Sequence, residues 1–249
     1  MNKIKEFGVF LILAFQLGFI LPSQAQKTAV YSDKDAGFKQ GLDLFGKGQY
    51  AAAQHYFTEA AEGLTDRNTH ICVDADYYAA VCAMELFHKD AEFLLKKFIK
   101  DHPESFHVKS VCFYLGKYNY RKKNYKDAIE WFNQVEVYDL NETEKAEFHF
   151  KRGYSYLERD SAEKAKNDFV DIKDEAGKYE VPATYYYSHI LYGEKKYETA
   201  LIGFQKLEKD PVFGTVVPYY ISQILYLQHK FEEVITYGNG LVMLFFGID

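Results

Sequence analysis

Along the chain a small residue is followed twelve positions later by a second small residue, and four positions after that by a large apolar one. The first member is Gly41, Ala79, Gly116, Gly153, Ser188 and Ser222; the second is Ala53, Ala91, Ala128, Ala165, Ala200 and Val234. The third is Phe57, Leu95, Phe132, Phe169 and Phe204, and it fails only at Gly238. Three residues before each second member stand Tyr50, His88, Tyr125, Ala162, Tyr197 and Phe231, mostly aromatic. Second members lie 38, 37, 37, 35 and 34 residues apart, a spacing of short helical repeats.

Each period reads as two amphipathic helices joined by a tight turn. In the third, Cys112, Leu115, Gly116, Asn119 and Tyr120 fall on one helical face, Lys122-Lys123-Asn124 breaks it, and Tyr125, Ala128, Ile129 and Phe132 build the next. Gly116 and Ala128 let the two backbones approach, and the rings fill the space beside that crossing. A lone hairpin cannot bury its faces, so each period needs its neighbours. His102-Pro103 and Asp210-Pro211 close the second and fifth periods, because the residue before proline disfavours helix. Asp139 to Glu142 and Gly177 to Pro182 supply further links.

The phrases Gly-Lys-Gly-Gln-Tyr-Ala-Ala-Ala at 46 to 53, Lys-Asn-Tyr-Lys-Asp-Ala-Ile at 123 to 129 and Lys-Lys-Tyr-Glu-Thr-Ala-Leu at 195 to 201 resemble the tetratricopeptide repeat. Phe98 to Ser105 is similar to the repeat ends of its exported bacterial members. The likeness covers Asp33 to about Phe246 and implies an all-α fold, a right-handed α-solenoid of about six hairpins. The expected organisation is a signal peptide over 1–25, a linker over 26–33, repeats over 34–246 and a tail over 247–249. The units fall near 34–64, 72–104, 109–138, 146–174, 181–211 and 215–246. Leu86 and His88 at the second turn, and Gly238 in the sixth unit, depart from the family pattern.

In that family the first helices line a concave groove, so the resemblance implies which side chains face it: those three before, one after and four after the small residue. The candidate partner-binding residues there are Phe38, Phe45, Phe113, Tyr120, Phe150, Tyr154, Tyr185, His189, Tyr192, Tyr219 and Tyr226. Such a stripe suits an extended or helical peptide; its other reading is ring packing across a tightly wound superhelix. The carboxylate clamp of the family's cochaperones needs lysine, arginine and asparagine where this chain has aromatics. Lys117 and Arg121 are the basic pair of the face, and they equally suit a solvated surface.

Composition narrows the classes. Of 249 residues 48% are hydrophobic and 18% aromatic, enough for a sizeable core. Lys3 and Lys5 precede an apolar run from Phe7 to Leu21 and the small residues of Ser23-Gln24-Ala25. Cleavage after Ala25 and export to the periplasm or outer membrane are therefore expected. With no cysteine at that point, a lipid anchor has no attachment site. The chain carries 30 Lys+Arg against 36 Asp+Glu, net −6, and net −7 without the first 25 residues, which hold Lys3, Lys5 and Glu6. That balance gives no footprint for nucleic acid.

Chemistry-bearing constellations are missing from the sequence. It has no Gly-rich phosphate loop, no His-Glu-x-x-His and no Cys-x-x-Cys. No catalytic residue, metal site, cofactor or small-molecule substrate is expected. His102 and His107 read as surface histidines, not ligands. Cys72, Cys82 and Cys112 are an odd set for an exported chain; Cys82 with Cys112 is the pair to test for a bridge, against a reading as buried small hydrophobes.

The apolar run Leu241 to Phe246 lacks the polar cap of a solenoid end, which offers a surface for self-association or for a membrane-associated complex. The function expected is a non-enzymatic scaffold or adaptor in the bacterial envelope that binds a protein or peptide partner. The alternative is a structural segment of a longer repeat array or assembly machine, with no peptide-binding role of its own.

Overall fold

The computed structural model describes residues 35–64, 66 and 69–246, with side chains described up to 240. The expected signal peptide, linker and tail, and the side chains of Leu241 to Phe246, lie outside these residues. The chain divides into a unit of residues 1–36, almost all outside the description, and a unit of residues 37–249.

Twelve α-helices make up the described residues: α1 (Ala36–Gly46), α2 (Tyr50–Glu62), α3 (His70–Glu85), α4 (Ala91–Asp101), α5 (Val108–Arg121), α6 (Tyr125–Phe132), α7 (Glu142–Leu157), α8 (Ala162–Val170), α9 (Glu180–Gly193), α10 (Tyr197–Lys206), α11 (Val217–Leu227) and α12 (Phe231–Phe246). They pair in chain order into six hairpins. Each second helix also packs on the first helix of the next hairpin, so the larger unit is an all-α solenoid. Its core runs along the stack as consecutive clusters, one at each junction between hairpins. None of the helices described is long and apolar enough to cross a membrane.

The repeat residues make the crossing inside each hairpin. Ala53, Ala91, Ala128, Ala165 and Ala200 are 0% exposed, as are Phe57, Leu95, Phe132, Phe169 and Phe204. At two crossings a side chain would push into the ring: a Cβ on Gly41 would lie 2.7 Å from the Phe57 ring and one on Gly116 2.5 Å from the Phe132 ring; at Gly153 the fit is tight, with Asp168 Cβ at 3.0 Å and the Phe169 ring at 3.1 Å. The sixth hairpin differs, because a Cβ on Gly238 would meet nothing within 4 Å.

Every hairpin turns through one left-handed residue: Gly48, Phe87, Lys123, Asp160, Lys195 and His229, with φ from 56° to 70°. The amide after it closes the turn on the carbonyl five residues back, as in Gln49 N to Leu44 O, Asn124 N to Asn119 O and Lys230 N to Leu225 O, each 2.9 Å. These are Schellman closures, and they satisfy carbonyls that a helix end otherwise leaves bare. At the other ends, Asn141 and Glu144 form a capping box, 3.0 Å in each direction, that starts α7. Thr69 Oγ1 accepts from Cys72 N at the start of α3. Pro182, expected in a link, lies in the first turn of α9, where its missing N–H has no helical partner to lose. Asp210 Oδ1 accepts from Val212 N and Phe213 N, at 2.9 and 2.8 Å, and so shapes the fifth link.

Two predictions follow from the crossings and turns. Gly116→Ala should lower unfolding stability by about 1–3 kcal/mol through overpacking, whereas Gly238→Ala should gain up to about 1 kcal/mol of helix propensity. Urea titrations of both variants check this, and equal effects would show that the crossings are not set by size. Lys195→Gly should stabilise by about 0.5–1 kcal/mol, since a side chain in the left-handed region costs about 1–2 kcal/mol and glycine returns part of that as unfolded-state entropy; a lower midpoint in the same titration would contradict it.

Candidate functional site: the aromatic face of the first helices

The rings of the first helices serve two different ends. At three junctions a tyrosine from the next hairpin stacks on the crossing phenylalanine of the hairpin before. Tyr78 lies over Phe57 (5.1 Å, 20°), Tyr186 over Phe169 (5.7 Å, 21°) and Tyr220 over Phe204 (4.8 Å, 11°). Two side chains of the candidate stripe flank each one. Phe38 and Phe45 stand 6.2 and 5.1 Å from Tyr78, Phe150 and Tyr154 6.2 and 5.2 Å from Tyr186, and Tyr185 and Tyr192 6.3 and 5.4 Å from Tyr220. His189 is also 5.5 Å from Tyr220.

These seven stripe residues are therefore slot walls that grip the following hairpin, and each is half-buried. Ring pairs at such separations add about 0.5–1.5 kcal/mol beyond area burial. Burial, with the Tyr220 hydroxyl next in effect, pushes the Tyr185 hydroxyl well above the ordinary phenol value; burial does the same to Tyr120 and Tyr154. Phe113, also expected on the groove, is 1% exposed and packs 6.3 Å from Phe132, so it has no surface to give a partner. The knob tyrosines went unread because they sit one or two residues before the small residue, outside the three stripe positions. A ring recurring at that offset was the signal.

The two central junctions pack their rings differently: Tyr114, at the offset of Tyr186 and Tyr220, packs on the cluster that holds the crossing residue Leu95, and Phe148 meets the Phe132 ring edge-on at 5.6 Å. Lys151 and Arg152 occupy the knob positions of the fourth hairpin, and an ionic seam runs along this part of the face. Lys117 Nζ lies 3.3 Å from Glu85 Oε1 and 3.2 Å from Glu147 Oε2, and Lys151 pairs with Glu147 and reaches over the Tyr120 ring. Burial alone would raise the Glu147 carboxyl, but Lys117 and Lys151 together hold it below the usual carboxylate range. Lys117, 13% exposed, is thus not a solvated cation. Nor is Arg121, whose guanidinium donates to Met84 O and stacks 4.0 Å above the Phe87 ring. A cavity of about 260 Å³ opens beside this seam, lined by Phe87, Lys117, Tyr120 and Arg121 among others. Farther along, Asp168, 2% exposed, takes Arg152 at 2.7 Å and His149 Nδ1 at 2.9 Å, which ties α7 to α8.

Tyr219 and Tyr226 stand apart, 63% and 57% exposed. By register they are the slot walls of the sixth hairpin, equivalent to Tyr185 and Tyr192. The slot between them has Gly238 for a floor where the other hairpins have a ring or Leu95. Phe231 and Ile235, 50% and 58% exposed, border it.

The remaining titratable groups are structural. His102 and His107, expected at the surface, are 6% and 7% exposed. His102 Nε2 lies 3.3 Å from Asp76 Oδ2 and His107 Nε2 2.8 Å from Asp74 Oδ1, while the His107 ring stacks 3.9 Å from Tyr77. The second link folds back over α3, which covers both rings. Cys82 and Cys112 are buried thiols in separate core clusters, with no bridge between them; burial pushes the Cys82 thiol up to about 12, which makes it inert. Among the described residues no group of three or more His, Cys, Asp or Glu side chains could hold a metal ion.

Burial, outweighing the pull of Asp74, lowers the His107 pKa, so the unfolded chain binds the extra proton. Stability should fall as pH drops from about 7.5 through the unfolded histidine value of about 6.5. His107→Gln should flatten that slope in thermal melts at several pH values; an unchanged slope would clear His107.

No family model matches the sequence, and no curated protein matches it. Solved structures do match the fold. PilF of Pseudomonas aeruginosa is 18% identical with a TM-score of 0.56, covering 86% of this chain and 93% of its own. A tetratricopeptide repeat protein from Parabacteroides merdae is 11% identical with a TM-score of 0.54, covering 84% and 79%. MamA is 20% identical with a TM-score of 0.50, covering 67% and 91%. The paired helices, the small-to-ring crossings and these likenesses together give the chain the tetratricopeptide-repeat fold.

Proposed function

We propose that the chain is a non-enzymatic protein-interaction scaffold or adaptor of the bacterial cell envelope that captures a protein or peptide partner on the sixth hairpin. The observation that carries this reading is the contrast within one set of equivalent positions. Phe38, Phe45, Phe150, Tyr185 and Tyr192 are half-buried by the following hairpin, while Tyr219 and Tyr226 stand open beside Leu227, Phe231 and Ile235, all at least 42% exposed. A cluster of exposed rings and aliphatics marks an interaction surface. Rings with few rotamers also lose little entropy on contact.

The first-helix face of the middle hairpins contributes less, because its side chains are engaged in the ionic seam. Envelope placement rests on the export signal read at the N-terminus, and membership of a membrane-associated complex is part of the same proposal. A second reading draws on the same open slot: the hairpins are a structural segment of a larger assembly, and the slot seats its next element.

Affinity capture from the envelope fraction tests the proposal. The double variant Tyr219→Ala, Tyr226→Ala should lose its partner while its helical circular dichroism and unfolding midpoint stay near those of the parent. Tyr220→Ala, one residue from Tyr219, should instead cost about 3 kcal/mol, as removal of a packed ring does. Partner capture that persists in the double variant would sink the sixth hairpin as the binding face.

A further inference from the structure

We infer that the cavity of about 260 Å³ beside the ionic seam is a second binding site, which takes a glutamate or aspartate side chain of a protein segment together with an apolar neighbour of that residue. The inference rests on the scaffold reading only in taking the ligand to be a protein.

The seam sets the charge of the cavity. Its walls come from α3, α5 and α7 and carry Lys117, Arg121 and Lys151 against Glu85 and Glu147, an excess of one positive charge in a chain of net −6. Lys117 is held by both carboxylates and Lys151 by Glu147. Arg121 is the cation left over. Among the described residues its guanidinium meets no carboxylate, and it gives two of its five N–H donors to Met84 O, at 3.3 Å each. The remaining donors have no acceptor among those residues.

The turn of the second hairpin supplies the other half of the site. The other five hairpins place glycine, lysine, aspartate or histidine at the left-handed position, but this one places Phe87 there, at φ 62°. A bulky side chain in that region is strained. Its ring is 68% exposed, so core packing does not account for it. The Arg121 guanidinium lies 4.0 Å from the centre of this ring, which lines the cavity with Tyr120. A ring on the face of a guanidinium leaves the edge, where the N–H donors lie, for hydrogen bonds in the plane.

These parts select the ligand. One unmatched guanidinium fits one carboxylate through charge-assisted hydrogen bonds. A phosphate would bring close to two negative charges against Glu85 and Glu147. With Lys117 and Lys151 spent on the seam, no set of cations converges as capture of a chain end would need, and a single guanidinium suits a side chain. The cavity is wider than a carboxylate fills, and the Phe87 and Tyr120 rings give the neighbouring residue an apolar wall.

The test follows the arginine Nε–H signals of the isotope-labelled intact chain by nuclear magnetic resonance during titration with the acetylated and amidated peptide Ala-Glu-Phe-Ala. The arginines are Arg67, Arg121, Arg152 and Arg159, and the signal lost in Arg121→Gln identifies Arg121. A saturable shift of that signal is expected. Affinity should be about tenfold or more lower for Ala-Gln-Phe-Ala, as loss of a charge-assisted hydrogen bond predicts. Phe87→Gly should raise the unfolding midpoint and weaken the glutamate peptide by about threefold; a raised midpoint with unchanged affinity would remove the ring from the site and overturn the inference. Equal affinity for the two peptides, no shift at Arg121, tighter binding of a phosphoserine analogue, or binding only of a peptide with a free C-terminal carboxylate overturns it as well. Should the peptide fail while envelope capture still depends on Tyr219 and Tyr226, the scaffold reading stands and this site alone falls.

Discussion

The close approach of a small residue to an aromatic ring inside each hairpin is the contact on which the rest of the structure depends. With Gly116 at the crossing, the Phe132 ring sits where a Cβ would stand 2.5 Å away, so the absence of a side chain there lets the helix pair close. The same closure sets the Phe57, Phe169 and Phe204 rings as floors for the next hairpin. Tyr78, Tyr186 and Tyr220 then lock onto them. Packing within a hairpin and packing between hairpins thus share one ring, which is how a quasi-one-dimensional stack becomes cooperative.

Two chemistries carry that coupling along the stack. Near its ends the junctions use stacked rings, insensitive to salt and pH. At its centre, Glu85, Lys117, Glu147 and Lys151 join three first helices through charge. A seam of this kind has little net worth once desolvation is counted, but removing Lys117 leaves Glu85, and removing Glu147 leaves Lys151, without its partner in the seam. It also occupies the face where a ligand would otherwise lie, and so moves the accessible aromatic surface toward the sixth hairpin.

Much of this was legible in the sequence. The triplet of small, small and large residues located every crossing, and its failure at Gly238 marked the hairpin whose slot lies open. The turn Lys122-Lys123-Asn124 contains the left-handed residue that closes the third hairpin. What could not be read was the division of the aromatic stripe. Phe113, Tyr185 and Tyr219 occupy the same repeat position, yet they are respectively buried, half-buried and exposed, because their burial depends on what the next hairpin brings to them. The histidines of the second link misled for a similar reason: the link folds back over α3 and covers them. A three-dimensional neighbour decided each case, and periodicity along one helix does not report it.

The claim that ties fold to function is that equivalent tyrosines differ in accessibility according to whether a following helix covers them. Hydroxyl-radical footprinting of the intact protein, read tyrosine by tyrosine by mass spectrometry, measures this directly. The account predicts rapid labelling of Tyr219 and Tyr226 and slow labelling of Tyr78, Tyr186 and Tyr220, with Tyr185 and Tyr192 close to the slow group. Uniform labelling along the stripe, or protection of Tyr219 and Tyr226 in the isolated chain, would contradict it.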